Sequence, residues 1–182
     1  AKNILVAGAP GQGMELLLDD IWNSFESRQD NIQVHYFNSA NDLYSETEVE
    51  QELLDIQTIM KNRYETIRES KAGNIAKHKD AKNNMPYIVL IFNEYTILYD
   101  TPGLMQILLQ LAQKGTKVGI HIIMSTTHPS VNVISNKIKM LFAPSIDEMV
   151  DGKIAHRLRS IEIEDLLMRP EINISMNEIV EN

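Results

Sequence analysis

The chain has 182 residues, 43% of them apolar, and a net charge of −8. This size suffices for one well-packed domain and is too small for two ordinary ones, so we predict a single domain over residues 1–182. The charge opposes non-specific binding to nucleic acid, and the lack of cysteine excludes disulfides and thiolate metal sites. No apolar run is long enough to predict a membrane span, so we expect a cytoplasmic protein without membrane contact.

The chain begins with a predicted strand, a glycine-rich turn and a helix. Residues 3–7 are an apolar run typical of a buried strand, and residues 14–25 have helical periodicity. The turn between them has the glycine skeleton of a phosphate-binding loop, GxxxxGK[ST], in which the lysine meets the outer phosphates and the hydroxyl holds Mg²⁺. Met14 and Glu15 occupy those two positions here. The candidate loop residues are Gly8, Gly11, Gln12, Gly13, Met14 and Glu15.

This loop allows two interpretations. A tight strand-to-helix turn needs glycines that accept positive φ and needs no ligand. In that case Glu15, in the first helical turn, would interact favourably with the helix dipole by about 0.3 to 1 kcal/mol. Alternatively, the loop retains weak nucleotide binding.

Strands and helices then alternate along the chain. Residues 31–37 have the pattern of a second strand, and residues 71–84 are polar and lysine-rich, which indicates an exposed loop or a frayed helix end. A long helix between them is predicted from apolar residues at helical spacing, namely Val49, Leu53, Ile56, Ile59, Met60 and Ile67.

Two apolar runs in the second half of the chain predict the central strands of a parallel sheet. Residues 87–92 are apolar at every position and residues 119–125 nearly so, as expected of strands buried on both faces. A helix is predicted over 104–114 and a short one over 131–139, with edge strands near 141–143 and 172–174. This alternation indicates an α/β fold of βαβ units. The pattern is weaker from residue 140 onward, and the part after about residue 147 contributes least to this prediction.

Three segments together resemble the motor domain of the FtsK/SpoIIIE family of DNA translocases. They are the first strand and loop (4–13), the helix and strand that end in Asn93 and Glu94 (63–95), and the following helix and strand (111–134). The resemblance spans about residues 3–146. It implies a RecA-like P-loop ATPase fold, with a mostly parallel central sheet and helices on both faces.

The chain departs from that family at most positions that the resemblance assigns to ATP chemistry. The Walker B aspartate corresponds to Asn93, and the sensor glutamine after the fourth strand to Thr127. An acidic residue and a lysine after the second strand correspond to Asn38 and Ala40. Only Glu94 matches, at the position of the catalytic glutamate, and without its partners we interpret it as a vestigial catalytic residue or a solvated carboxylate. No metal site is predicted.

These departures favour a catalytically inactive pseudo-ATPase that serves as a structural or regulatory subunit of a DNA-translocation ring. No cofactor is expected; ATP and Mg²⁺ would bind only if residual activity remains. The expected partners are copies of this chain or related subunits, with weak DNA contact because of the charge. Three alternatives stay open: an active ATP-dependent DNA translocase subunit, a domain like the type VII secretion ATPases that binds a protein partner, and an engineered or decayed fold without activity.

Overall fold

A computed structural model of the chain describes residues 3–7, 14–26, 32–38, 45–71, 73, 75, 85–94, 101–126 and 142–147. The described elements are, in chain order, β1 (Asn3–Ala7), α1 (Met14–Glu26), β2 (Ile32–Asn38), α2 (Glu46–Glu69), β3 (Tyr87–Asn93), α3 (Pro102–Lys114), a 3-10 helix (Gly115–Val118), β4 (Ile120–Thr126) and β5 (Phe142–Asp147). The alternation predicted for this part of the chain is confirmed. The helix predicted over 131–139 and the strand near 172–174 lie outside the described residues.

The five strands form one parallel sheet in the order β2-β3-β4-β1-β5. All seven residues of β3 are buried, as its apolar, β-branched sequence predicts for a strand covered on both faces. The strand predicted near residue 141 is an edge strand, β5, and it extends to Asp147. β4 lies between β3, the strand that precedes it in the chain, and β1, the first strand of the chain.

Helices cover both faces of the sheet, which side-chain alternation in β2 makes clear. The hydroxyl of Tyr36 donates a hydrogen bond to Asp19 of α1. The neighbouring His35 pairs with Glu52 of α2. Because successive residues of a strand point to opposite faces, α1 and α2 lie on opposite sides of the sheet. None of the described helices is long and apolar enough to cross a membrane.

The long helix α2 begins at a capping box and is held at its other end by a buried arginine. Ser45 and Glu48 exchange hydrogen bonds that satisfy free N–H groups of the first turn. Ile59, one of the apolar residues whose spacing predicts this helix, is 36% exposed and does not lie in the core. Arg63 lies on the buried face instead and donates to the carbonyl oxygens of Val118 (3.0 Å) and Pro86 (2.7 Å). The guanidinium thereby joins α2 to the segments that lead into β3 and β4.

Gly119 forms the turn into β4. Its φ is +79°, in the left-handed region that favours glycine, and an added Cβ would lie 2.7 Å from Cδ1 of Ile75. The strand predicted from residue 119 therefore starts one residue later, at Ile120.

His121 is fully buried in β4, beside the ring of Tyr87 at a centroid distance of 5.9 Å. Neither ring nitrogen has a hydrogen-bond partner in the part of the chain that the structure describes. Burial disfavours the charged imidazolium and lowers the pKa of His121 to about 4. The neutral ring is therefore the form that the fold stabilises.

The buried His121 predicts loss of stability in mild acid. The pKa of His121 in the folded chain lies below its ordinary value of 6.5. The stability that the neutral ring contributes is therefore present in full above about pH 6.5 and is lost as the pH falls towards 4. A shift of this size corresponds to about 3 kcal/mol of unfolding free energy. Urea unfolding at pH 7 and pH 4.5 should show a smaller acid loss in His121→Phe, which keeps a ring without a titrating nitrogen. Equal acid losses in the variant and the unmodified chain would contradict this prediction.

Candidate functional site

The strands of the parallel sheet end together at one edge, and the candidate residues of β3 lie there. Asn38 of β2 is in register with Asn93 of β3, one residue beyond the Phe92–Met124 pair of β3 and β4. The connection from β1 leads to β2, the edge strand on one side of the sheet. The connection from β4 leads to β5, the edge strand on the other side. In open α/β sheets, ligands bind at the carboxyl edge where such a reversal occurs.

Asn93 is almost fully buried, and both ends of its side-chain amide form hydrogen bonds. Its Oδ1 accepts a hydrogen bond from the hydroxyl of Ser125 in β4 (3.1 Å). Its Nδ2 donates to the hydroxyl of Tyr36 in β2 (3.4 Å). The amide thus joins three neighbouring strands at the edge where the family resemblance places a Walker B aspartate.

The network continues from Asn93 to α1. The hydroxyl of Tyr36 donates to Oδ1 of Asp19 at 2.9 Å, and the Tyr36 ring lies 5.3 Å from that of Trp22. Tyr36 requires its own hydroxyl hydrogen for Asp19 and therefore accepts from Asn93, which an amide nitrogen can satisfy and a carboxylate cannot. We refer to Ser125, Asn93, Tyr36 and Asp19 as the edge network.

Glu94 follows β3 with an unusual backbone conformation. Its φ is +62°, in the left-handed region that a non-glycine residue adopts at a cost of about 1 to 3 kcal/mol. Its backbone N–H donates to the hydroxyl of Ser125 (2.9 Å), the same hydroxyl that donates to Asn93. Ser125 therefore holds both residues at the end of β3.

The structure describes only part of the predicted site. Asn93 and Glu94 are adjacent at the end of β3, and α1 begins at Met14, which puts Glu15 in the first helical turn. The loop residues Gly8, Gly11, Gln12 and Gly13 and the sensor position Thr127 lie outside the described residues, as do the side chains of Met14 and Glu15. Among the described side chains, no group of three His, Asp or Glu is close enough to hold a metal ion.

Sequence reasoning missed Ser125, Tyr36 and Asp19. The apolar runs of β3 and β4 both end in a polar residue, Asn93 and Ser125, and that parallel was the available signal. It was insufficient because only the register of the two strands brings these side chains together. The contribution of Tyr36 depends on strand order as well, since its distance from Asn93 in the sequence is 57 residues.

Comparison with known proteins agrees with the resemblance. No protein-family model matches the chain. The chain is 42% identical to the DNA translocase FtsK of Leptospira interrogans over 64 residues, and 33% identical to that of Chlorobaculum tepidum over 102 residues. These matches cover 34% and 54% of the chain but only 7% and 13% of the relatives, so the chain spans a small part of their length. The resemblance to FtsK DNA translocases is confirmed.

Two solved structures have a similar fold. EssC (ATPases 2 and 3) from Geobacillus thermodenitrificans superposes with a TM-score of 0.66 at 18% identity, over 77% of this chain and 30% of EssC. The pCW3 conjugation coupling protein TcpA, in its monomer form with ATPγS, gives 0.67 at 19% identity, over 86% of this chain and 51% of TcpA. At such identities the likeness is one of fold, and it confirms the predicted RecA-like P-loop ATPase fold.

The edge network predicts a large stability cost for Ser125→Ala. The change removes the hydroxyl that accepts from the N–H of Glu94 and donates to Oδ1 of Asn93, and each such hydrogen bond contributes about 0.5 to 1.5 kcal/mol. We expect a loss of about 1 to 3 kcal/mol in urea unfolding. Thr58→Ala is the matched control, because it removes an exposed hydroxyl that donates to a backbone carbonyl. Equal losses in the two variants would contradict the network.

Proposed function

We propose that this chain, which is related in sequence to FtsK DNA translocases and has a RecA-like P-loop ATPase fold, is a catalytically inactive domain of that kind. Its function is then structural or regulatory, within an assembly of ATPase-like subunits. The observation that carries the proposal is the engagement of Asn93. Its amide is held between Ser125 and Tyr36 at the position of the Walker B aspartate.

The described residues fit a magnesium ion poorly. Mg²⁺ in nucleotide sites is held by a carboxylate together with a hydroxyl and phosphate oxygens. Asn93 offers a neutral amide whose oxygen already accepts a hydrogen bond from Ser125. The sequence also has Glu15 in place of the hydroxyl residue, so neither protein anchor is of the usual type.

The start of α1 supports the same proposal through charge. A lysine about 4 Å from a phosphate would contribute roughly 4 kcal/mol at an effective dielectric constant near 20. Met14 lacks that charge, and Glu15 adds a carboxylate to the first turn of the helix. The loss of the lysine–phosphate attraction is large compared with the roughly 8 kcal/mol of binding free energy that corresponds to micromolar affinity.

A regulatory subunit of this type would act through its contacts. We propose that its partners are copies of this chain or related RecA-like subunits, assembled through the faces of the domain in a cytoplasmic ring. A net charge of −8 would make any direct contact with DNA weak. Glu94 would then be a remnant of a catalytic site, held in place by Ser125.

Calorimetric titration with Mg-ATP tests the inactive state. We expect no saturable binding by the unmodified chain. The variant Met14→Lys, Glu15→Ser, Asn93→Asp restores the cation, the hydroxyl and the carboxylate, and should show saturable binding. The control Met14→Leu, Glu15→Ser removes the negative charge without adding a cation, and should recover only part of this gain.

Two outcomes would contradict the proposal. Micromolar binding of Mg-ATP by the unmodified chain would show that the altered loop still holds a triphosphate. ATP hydrolysis stimulated by duplex DNA would instead support an active translocase subunit. In that case Met14→Lys with Glu15→Ser should change the rate little, because neighbouring subunits would supply the missing groups.

A further inference from the structure

A groove follows the outer edge of β2 along the first four residues of the strand. β2 is an edge strand of the described sheet, and the groove has a volume of about 420 Å³. Its walls are Trp22, Glu26, Ile32, Gln33, Val34 and His35. Successive residues of a strand point to opposite faces of the sheet, so four consecutive residues can line one groove only along the edge of the strand.

The backbone along this edge is suited to pairing with another strand. β2 pairs with β3 through all seven of its residues, and in a parallel ladder alternate residues direct their N–H and C=O groups to the other side. None of the described strands pairs with that side between Ile32 and His35. The strand also contains no proline or lysine, two residues that commonly protect exposed edges.

The side chains around the edge are acidic on both faces of the sheet. Glu26 lines the groove on the α1 side, and Glu52 pairs with His35 on the α2 side. In sequence, α1 has no basic residue and four acidic ones, Glu15, Asp19, Asp20 and Glu26. The first ten residues of α2 also have no basic residue and five acidic ones, of which Glu50 lies towards Gly103 of α3.

This charge selects among the possible occupants of the groove. A second copy of the chain would bring an equally acidic edge against the first, and a nucleic-acid backbone would be repelled as well. A basic, extended peptide meets both the charge and the backbone requirement. We propose that the outer edge of Ile32 to His35 binds an extended basic segment of another polypeptide as an added β-strand.

The bound segment would contact both the backbone groups of β2 and the side chains that line the groove. Its main chain would pair with the outward N–H and C=O groups of β2, as in other cases of strand addition. The lysines or arginines on one face would pack their aliphatic stems on the half-buried Trp22 and Val34 and reach Glu26 with their charged ends, and the interleaved side chains would lie on the other face, towards Glu52. This inference does not depend on the state of the ATP site.

A synthetic peptide of alternating lysine and valine, with blocked termini and a fluorescent label, tests the proposal by anisotropy. We expect saturable binding that weakens at least about tenfold in Glu26→Lys, whose added positive charge faces the peptide. Glu65→Lys is the matched control, because it makes the same charge change on an exposed position of α2 outside this groove, and should alter the affinity less than about twofold. Circular dichroism would establish that both variants are folded.

Two N-methylated forms of the peptide distinguish strand addition from simple charge attraction. An added strand pairs through one edge, so methylation of alternate backbone nitrogens should abolish binding in one form and largely preserve it in the other. Equal binding of both forms, absence of binding, or equal affinity for an alternating glutamate–valine peptide would overturn the proposal. A dimer in sedimentation equilibrium that Glu26→Lys alters would overturn it in favour of a second copy.

Discussion

The parallel register of β3 with its two neighbours is the constraint on which the rest of this structure depends. β3 is buried at every residue and pairs with β2 on one side and β4 on the other. Because parallel strands run in the same direction, this register brings Asn38, Asn93 and Ser125 to one edge of the sheet. Both faces of β3 are covered, so a slip by one residue would separate Asn93 from Ser125 and Tyr36.

An amide at the end of β3 changes what that edge of the sheet can do. A carboxylate there would need a cation or several donors, because a buried charge without compensation is costly. Asn93 instead donates to one strand and accepts from another, and the network reaches α1 through Tyr36 and Asp19. The helix α1 is therefore tied to the sheet by hydrogen bonds.

The charged residues of the described helices are unevenly distributed. Acidic side chains predominate in α1 and the first half of α2, beside the edge strand β2. The far end of α2 has Arg63 buried between carbonyl oxygens of Pro86 and Val118, where it joins the helix to the sheet. Within the described helices, the acidic excess thus lies on one flank, and that flank borders the backbone groups of a sheet edge.

The sequence alone determined the α/β class and the described strands and helices, because hydrophobic periodicity is a local signal. The altered phosphate loop stays a prediction from glycine spacing. Local periodicity did not predict that Ile59 is exposed and Arg63 buried. A long arginine can lie on the buried face of a helix when its guanidinium reaches backbone carbonyls. Only the tertiary structure decided that β4 lies between β1 and β3, and that Ser125 and Tyr36 meet at Asn93. Those contacts join residues far apart in the chain, and strand order, which no local pattern encodes, brings them together.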